Sequence, residues 1–176
     1  ADLERFAHEV QAALGARLAS AVLYGSAASG EWIAGTSDVN VALVLTAVDA
    51  AALDALAPVV ARWRKRGFAL PLVVDADYLR RACAAFPMEI EDLRRRHRVL
   101  AGSDPFAELK VDAATLRREL EQEAAGKLLR LRAFYLEHAG SPAALEVLLR
   151  ESAKTFLVLL RHLLHLRGID EPHGYE

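Results

Sequence analysis

The sequence predicts an α/β fold, a mixed sheet flanked by helices, followed by an α-helical C-terminal region. Three observations carry this. Over residues 1–101, short apolar runs alternate with longer stretches whose apolar residues recur every three or four positions. After Gly102-Ser103-Asp104-Pro105 the texture changes to two long leucine-rich stripes. Ala is the commonest residue in the chain, and Ala has the best intrinsic helix propensity. The expected organisation is a first domain over 1–101, a linker over 102–111 and a helical hairpin or bundle over 112–176.

Leu3, Phe6, Ala7, Val10 and Leu14 fall at helical spacing, so 2–18 is predicted as an amphipathic helix. Ser20 to Tyr24 is a short apolar run that stops at Gly25, as a buried strand does. Val39 to Leu45 is a second, almost wholly apolar run, the pattern of a strand covered on both faces. Asp49 to Arg66 is Ala-rich, carries Leu53, Leu56, Val60 and Trp63 as its expected buried face, and stops at Gly67. Phe68 to Val74 is a third strand candidate, with Pro71 pointing to a sheet edge. Asp75 can cap a short helix reaching Ala85. Phe86 to Leu93 and His97 to Ala101 are weaker strand candidates. Leu116, Leu120, Ala124, Leu128, Leu131 and Tyr135 form one later helical stripe. Leu145, Leu148, Leu149, Phe156, Leu159, Leu160 and Leu163 form another, and Ser141-Pro142 between them supplies an N-cap and a first-turn proline.

Composition narrows the functions available. Of 176 residues, 22 are Lys or Arg and 24 are Asp or Glu, a net charge of −2. That argues against a protein whose task is coating nucleic acid. Apolar residues at 53% exclude wholesale disorder. The lone Cys83 excludes an intramolecular disulfide and a cysteine-based zinc site, and reads as a small apolar residue. The run Phe156–Leu160 is broken by Arg161 and His162, far short of the ~20 residues of a membrane span. No basic-then-apolar leader opens the chain, which lacks an initiator Met, and the expected compartment is the cytoplasm.

One stretch carries chemistry. The apolar run ending at Tyr24 enters Gly25-Ser26, and after eleven further residues Asp38-Val39-Asn40 opens the next apolar run. Gly25 permits a sharp turn and close backbone approach. Ser26 offers a hydroxyl where a helix begins, and backbone N–H groups there suit phosphate. Residues 38 and 40, two apart on a strand, share one face. Carboxylates so placed could hold Mg²⁺ against a triphosphate.

This pattern resembles the nucleotidyltransferase superfamily, which includes DNA polymerase β-like and aminoglycoside nucleotidyltransferases. The resemblance implies a nucleotidyltransferase fold over 1–101. It also implies nucleoside triphosphate binding by Gly25, Ser26 and Asp38, Mg²⁺ on Asp38 and Asn40, and an acceptor that the sequence does not name. The chain departs from the family at Asn40, which stands where a second carboxylate is expected and brings an oxygen without a charge. It departs again on the third strand, which has no acid before Asp75. Glu89 and Asp92 are the candidates to stand in as catalytic carboxylates, with Glu91 beside them. Three readings follow. The first is a degenerate, nucleotide-binding or regulatory protein with weak or no transfer activity. The second is a working Mg²⁺-dependent enzyme moving a nucleoside monophosphate onto a small-molecule or protein hydroxyl. The third is an antitoxin-like interaction module.

The remaining polar features have plainer explanations. Arg62, Arg64, Lys65 and Arg66 suit the negative end of their helix. Arg94-Arg95-Arg96-His97-Arg98 lies beside three acids, and His162 and His165 lack a third ligand at helical spacing. Trp32 is a candidate wall of a base pocket or a core aromatic. In the last helix Leu145, Leu149, Phe156, Leu160 and Leu163 fill one stripe while Leu157 and Leu164 point away. One neighbouring helix cannot cover both, so a homodimer is expected unless further helices follow residue 176.

Overall fold

The computed structural model describes residues 2–30 and 38–169. These form two compact units, 1–110 and 111–176. In the first, four strands make a mixed sheet: β1 (Leu18–Tyr24), β2 (Asn40–Leu45), β3 (Leu72–Asp75) and β4 (His97–Gly102), in the order β3-β2-β1-β4. β1 runs antiparallel to both neighbours, and β3 joins β2 in parallel. A parallel neighbour needs a crossover, and α3 (Ala50–Arg64) supplies it.

The core forms where α1 (Asp2–Leu14) and α3 bury their apolar stripes with one face of the sheet. Phe6, Val10 and Leu14 join Leu56, Val59 and Trp63, and the strands contribute Leu18, Ala21, Leu23, Val41, Leu43 and Leu45. Val22, Ala42 and Val44, on the opposite face, are buried too. That is why β1 and β2 read as unbroken apolar runs instead of alternating ones. Phe6, Trp63 and Phe68 form an aromatic cluster with ring centroids 4.9 to 5.6 Å apart. Such pairs add about 0.5–1.5 kcal/mol each beyond the area that they bury.

At the rim of this cluster Glu9 accepts hydrogen bonds from Trp63 Nε1 and Arg62, both at 3.0 Å, and from Arg5 at 3.2 Å. Arg66 stacks over the Trp63 ring, 4.6 Å from its centroid, and pairs with Asp2. The basic end of α3 therefore clasps α1 as well as completing its own helix.

Several boundaries differ from the sequence reading. The first helix stops at Leu14, because Gly15 takes a positive φ of 56° and a short 3₁₀ turn, 15–17, leads into β1 at Leu18. Ala19 is an extra residue in β1: Leu18 pairs with Leu45 and Ser20 with Val44. This bulge restores parity, so Leu18 faces the core with Ala21 and Leu23 while Ala19 is exposed. The buried row of α3 is Ala52, Leu56, Val59 and Trp63, and Leu53 is exposed. The third strand begins only at Leu72, because Pro71 cannot donate to a ladder; Phe68 makes just an isolated bridge to Val39. Residues 86–93 are not a strand. Pro87 opens α5 (Pro87–Arg95), directly after α4 (Ala76–Ala85), and Met88, Ile90, Glu91 and Leu93 turn inward at helical spacing.

The second unit is a hairpin of α6 (Ala113–His138) and α7 (Pro142–Leu166). Asp112 caps α6 through Thr115, whose N–H and hydroxyl hold the Asp112 carboxyl below its ordinary range. Ser141 caps α7. The expected α7 stripe is split. Leu145, Leu148 and Leu159 are buried or half-buried, whereas Leu149, Phe156, Leu160 and Leu163 are exposed. On α6, Leu116 and Leu120 are buried but Leu128 and Tyr135 are exposed. No described helix is long and apolar enough to cross a membrane.

Two predictions follow from this packing. Gly102 ends β4 at φ 79°, and a Cβ there would stand 2.0 Å from the Ala19 carbonyl oxygen, whereas a Cβ on Gly15 meets nothing. Gly102→Ala should cost about 3 kcal/mol or more in urea unfolding and Gly15→Ala roughly 1 kcal/mol; equal costs would refute the contact. The Trp63 and Arg62 hydrogen bonds lower the Glu9 pKa from 4.5 to about 2. A folded pKa below the unfolded one stabilises fully above pH 4.5 and is lost as pH falls toward 2. Glu9→Gln should lower the unfolding midpoint at pH 7 and flatten its acid limb; an unchanged acid limb would show that Glu9 contributes nothing.

Candidate functional site

The candidate site is the end of the sheet where β1 comes to the surface. Tyr24 ends β1, and its register partners are Asn40 on one side and His97 on the other. Directly opposed residues in antiparallel strands share a face, so Asn40, Tyr24 and His97 form a row on the face opposite the α1–α3 core. The chain then turns at Gly25, at φ 73° and ψ −156°, a conformation open essentially to glycine. A Cβ on Gly25 would lie 3.3 Å from Asn40 Nδ2. The motif's two halves, fifteen positions apart in the chain, are therefore in contact.

Ser26–Ser29 form α2, a single turn held by hydrogen bonds from the Ala28 and Ser29 N–H groups to the Gly25 carbonyl. The Ser29 hydroxyl bonds back to the Ser26 carbonyl. Residues 31–37, including Trp32, lie outside the described residues. Asp38 is exposed, just ahead of β2. Val39 donates to the Gly67 carbonyl and accepts from Ala69 N–H, both at 3.0 Å, and packs against the core. These bonds keep 38–40 extended, so Asp38 and Asn40 fall on the same side.

The β2–β3 register fixes what stands beside Asn40 on the third segment. Ala42 pairs with Leu72 and Leu45 with Asp75. Beside Asn40 the third segment therefore offers Ala69 and Leu70. Asp75 stands about 17 Å away at the other end of β2, where its carboxylate caps α4 through Tyr78 N–H at 2.7 Å. Glu89 is exposed in the first turn of α5, and Asp92 lies one turn further, toward β4. Glu91 between them is buried and paired with Arg94 at 2.6 Å and Arg95 at 3.7 Å. Among the described residues no three His, Cys, Asp or Glu side chains are grouped as for a metal. His162 is buried on α7, and Cys83, half-buried, donates to the Leu79 carbonyl.

Two residues of this end were not singled out from sequence. Tyr24 is half-buried, which pushes its phenol above the usual value of 10 and keeps it a neutral hydrogen-bonding group. His97 is an anchor: Nδ1 lies 3.1 Å from the Arg94 carbonyl and Nε2 3.2 Å from Asp104, with the Phe106 ring edge-on against it. Residues 103–106 thus fold back along β4. Only the pairing of β4 with β1 brings His97 here, and no local signal in the sequence announces it.

No family model matches the chain, and no curated protein matches it. Among solved structures, a chain from a crystal structure of a toxin-antitoxin with AMP-PNP aligns at a TM-score of 0.41 with 16% identity. The alignment covers 72% of this chain and 94% of that one. A likeness at that level assigns neither ligand nor partner to this protein.

The Gly25–Asn40 contact yields a test. Gly25→Ala should destabilise by on the order of 2 kcal/mol, through positive φ and crowding together. In an Asn40→Ala background the crowding is gone and the strain remains, so the cost should fall by about 0.5–1 kcal/mol. A double-mutant cycle by chemical unfolding measures the difference; strict additivity would mean that the two residues do not meet.

Proposed function

We propose that this chain is a nucleotidyltransferase-fold protein with a degenerate metal site, one that binds a nucleoside triphosphate and transfers little or nothing. The observation that carries the reading is the junction of Gly25 with Asn40, with Asp38 two residues before Asn40 on the same strand side. Bare backbone at Gly25 lets a phosphate approach, and the Ser26 hydroxyl is the adjacent donor. Asp38 and the Asn40 amide oxygen are the protein ligands that this reading gives to Mg²⁺. Mg²⁺ is commonly held by one or two carboxylates together with substrate phosphates and water, so this pair suits a metal that arrives with the nucleotide. Bound there, Mg²⁺ would screen the triphosphate charge. One carboxylate supplies half the negative charge of the usual acidic pair, and beside Asn40 the third segment offers Leu70 in place of an acid. These two features favour binding over turnover.

The reading of a working enzyme uses the same pair for Mg²⁺, with Glu89 or Asp92 as base. Asp92 stands nearer than Glu89 to the strand that begins at His97, which makes it the better of the two. The proteins to compare are wild type, Asn40→Asp and Ser26→Ala, with ATP, GTP, CTP and UTP, with and without Mg²⁺. Calorimetry should show binding by the wild type. Asn40→Asp should tighten the Mg²⁺-dependent part five- to tenfold, about 1–1.4 kcal/mol. Ser26→Ala should weaken binding at unchanged stability. Label transfer to protein or small-molecule hydroxyls should stay at background in the wild type; Asp92-dependent transfer would favour the enzyme. Failure to bind any of the four nucleotides would overturn the proposal in favour of an interaction module.

A further inference from the structure

We propose that the α6–α7 hairpin is a dimerisation element, on which a second copy of this chain lays its own hairpin to complete a four-helix bundle. On α7, positions 149, 153, 156, 160 and 163 carry Leu, Ala, Phe, Leu and Leu. Their spacing of four, three, four and three is that of a seam that keeps facing one partner along a helix. Leu149, Phe156, Leu160 and Leu163 are 39% to 68% exposed. α6 contributes Leu128 and Tyr135, 45% and 55% exposed. Tyr135 and Leu149 wall the same open groove of about 350 Å³ between the helices, together with Leu131, Leu145 and Leu148. The two rows therefore belong to one face of the hairpin.

The dimensions of the face select its occupant. Two helices 8–10 Å apart present a surface roughly 20 Å wide, twice the breadth of one helix. A helical hairpin matches that width, and this chain carries one. At about half exposure, the six large side chains and the groove walls offer on the order of 600 Å² of apolar surface per copy, against about 800 Å² per partner in a standard interface. The balance is a polar rim, near the apolar share found in homodimers. Along that rim Glu146 and Arg150 neutralise each other at 2.6 Å, and Arg132 is the one charged side chain among those lining the groove. A two-fold axis satisfies both faces at once and closes the assembly.

Sedimentation equilibrium of the full chain between 1 and 100 μM tests this. Wild type should be a dimer. Leu160→Glu, in the C-terminal half of the seam, should raise the dissociation constant on the order of 100-fold or more, with helicity by circular dichroism retained. Leu149→Lys, nearer the hairpin loop, is the second disrupting variant should Leu160→Glu lose helix. Leu129→Glu lies about 100° round α6 from Leu128 and should leave the dimer intact. A wild-type monomer at 100 μM, a dimer that survives both disrupting variants, or dissociation by Leu129→Glu would each overturn the proposal.

Discussion

The rest of the first unit depends on one constraint: β1 is hydrogen-bonded along both edges and buried on both faces. Ala21, Val22 and Leu23 are 0% to 1% exposed. A segment so enclosed admits only small or apolar side chains, and its backbone polar groups must find partners in β2 and β4. The exception, buried Ser20, satisfies its hydroxyl on the Ala101 and Ser103 carbonyls. β1 can meet water only at its ends, and both ends rely on glycine. Gly102 lets β4 pass the Ala19 bulge, and Gly25 lets the chain turn away beneath Asn40. The aromatic cluster and the Glu9 clasp then hold α1 and α3 over the sheet.

The same enclosure explains why the polar groups of the motif gather at one end. The interior of the sheet cannot house Asp38 or Asn40, so the strands present them where burial stops. On the β3 side of this end, the described neighbours of Asn40 are apolar. The register leaves Ala69 and Leu70 beside Asn40 and sends Asp75 to the far rim as a helix cap. The nearby arginines of α5 are engaged locally, with Arg94 and Arg95 on the buried Glu91.

Where the sequence was legible, it was legible through burial. Val39–Leu45 shows a strand because almost nothing in it is polar, and Asp49, Asp75, Ser141 and Pro142 announce helix starts through capping chemistry that is local. Phe86, Met88 and Ile90 mislead because they alternate like a strand, while the proline at 87 is equally the sign of a first helical turn. The Ala19 bulge was hidden, since a residue inserted into an apolar run changes no pattern. On α7, two adjacent apolar rows merge into one broad stripe, and only a partner helix decides which row it covers. At the site, the Gly25-Ser26 and Asp38-Asn40 pairs were visible as a motif. Tyr24 and His97 were not, because their juxtaposition is a property of strand order, which leaves no local trace.

The sheet's two outer strands have a further consequence. An uncovered edge invites another chain to add a strand. Here β3 is four residues long with Pro71 directly before it, and β4 is kinked where Ala21 pairs with Ala101 but Val22 with Val99, leaving Leu100 as the extra residue. Neither edge offers the long, flat, regularly spaced ladder that templates an intermolecular sheet. A chain with apolar segments as concentrated as 18–24 and 40–45 carries the raw material of amyloid. Its topology keeps both segments in the middle of the sheet and leaves the periphery to strands that are poor seeds for fibril growth.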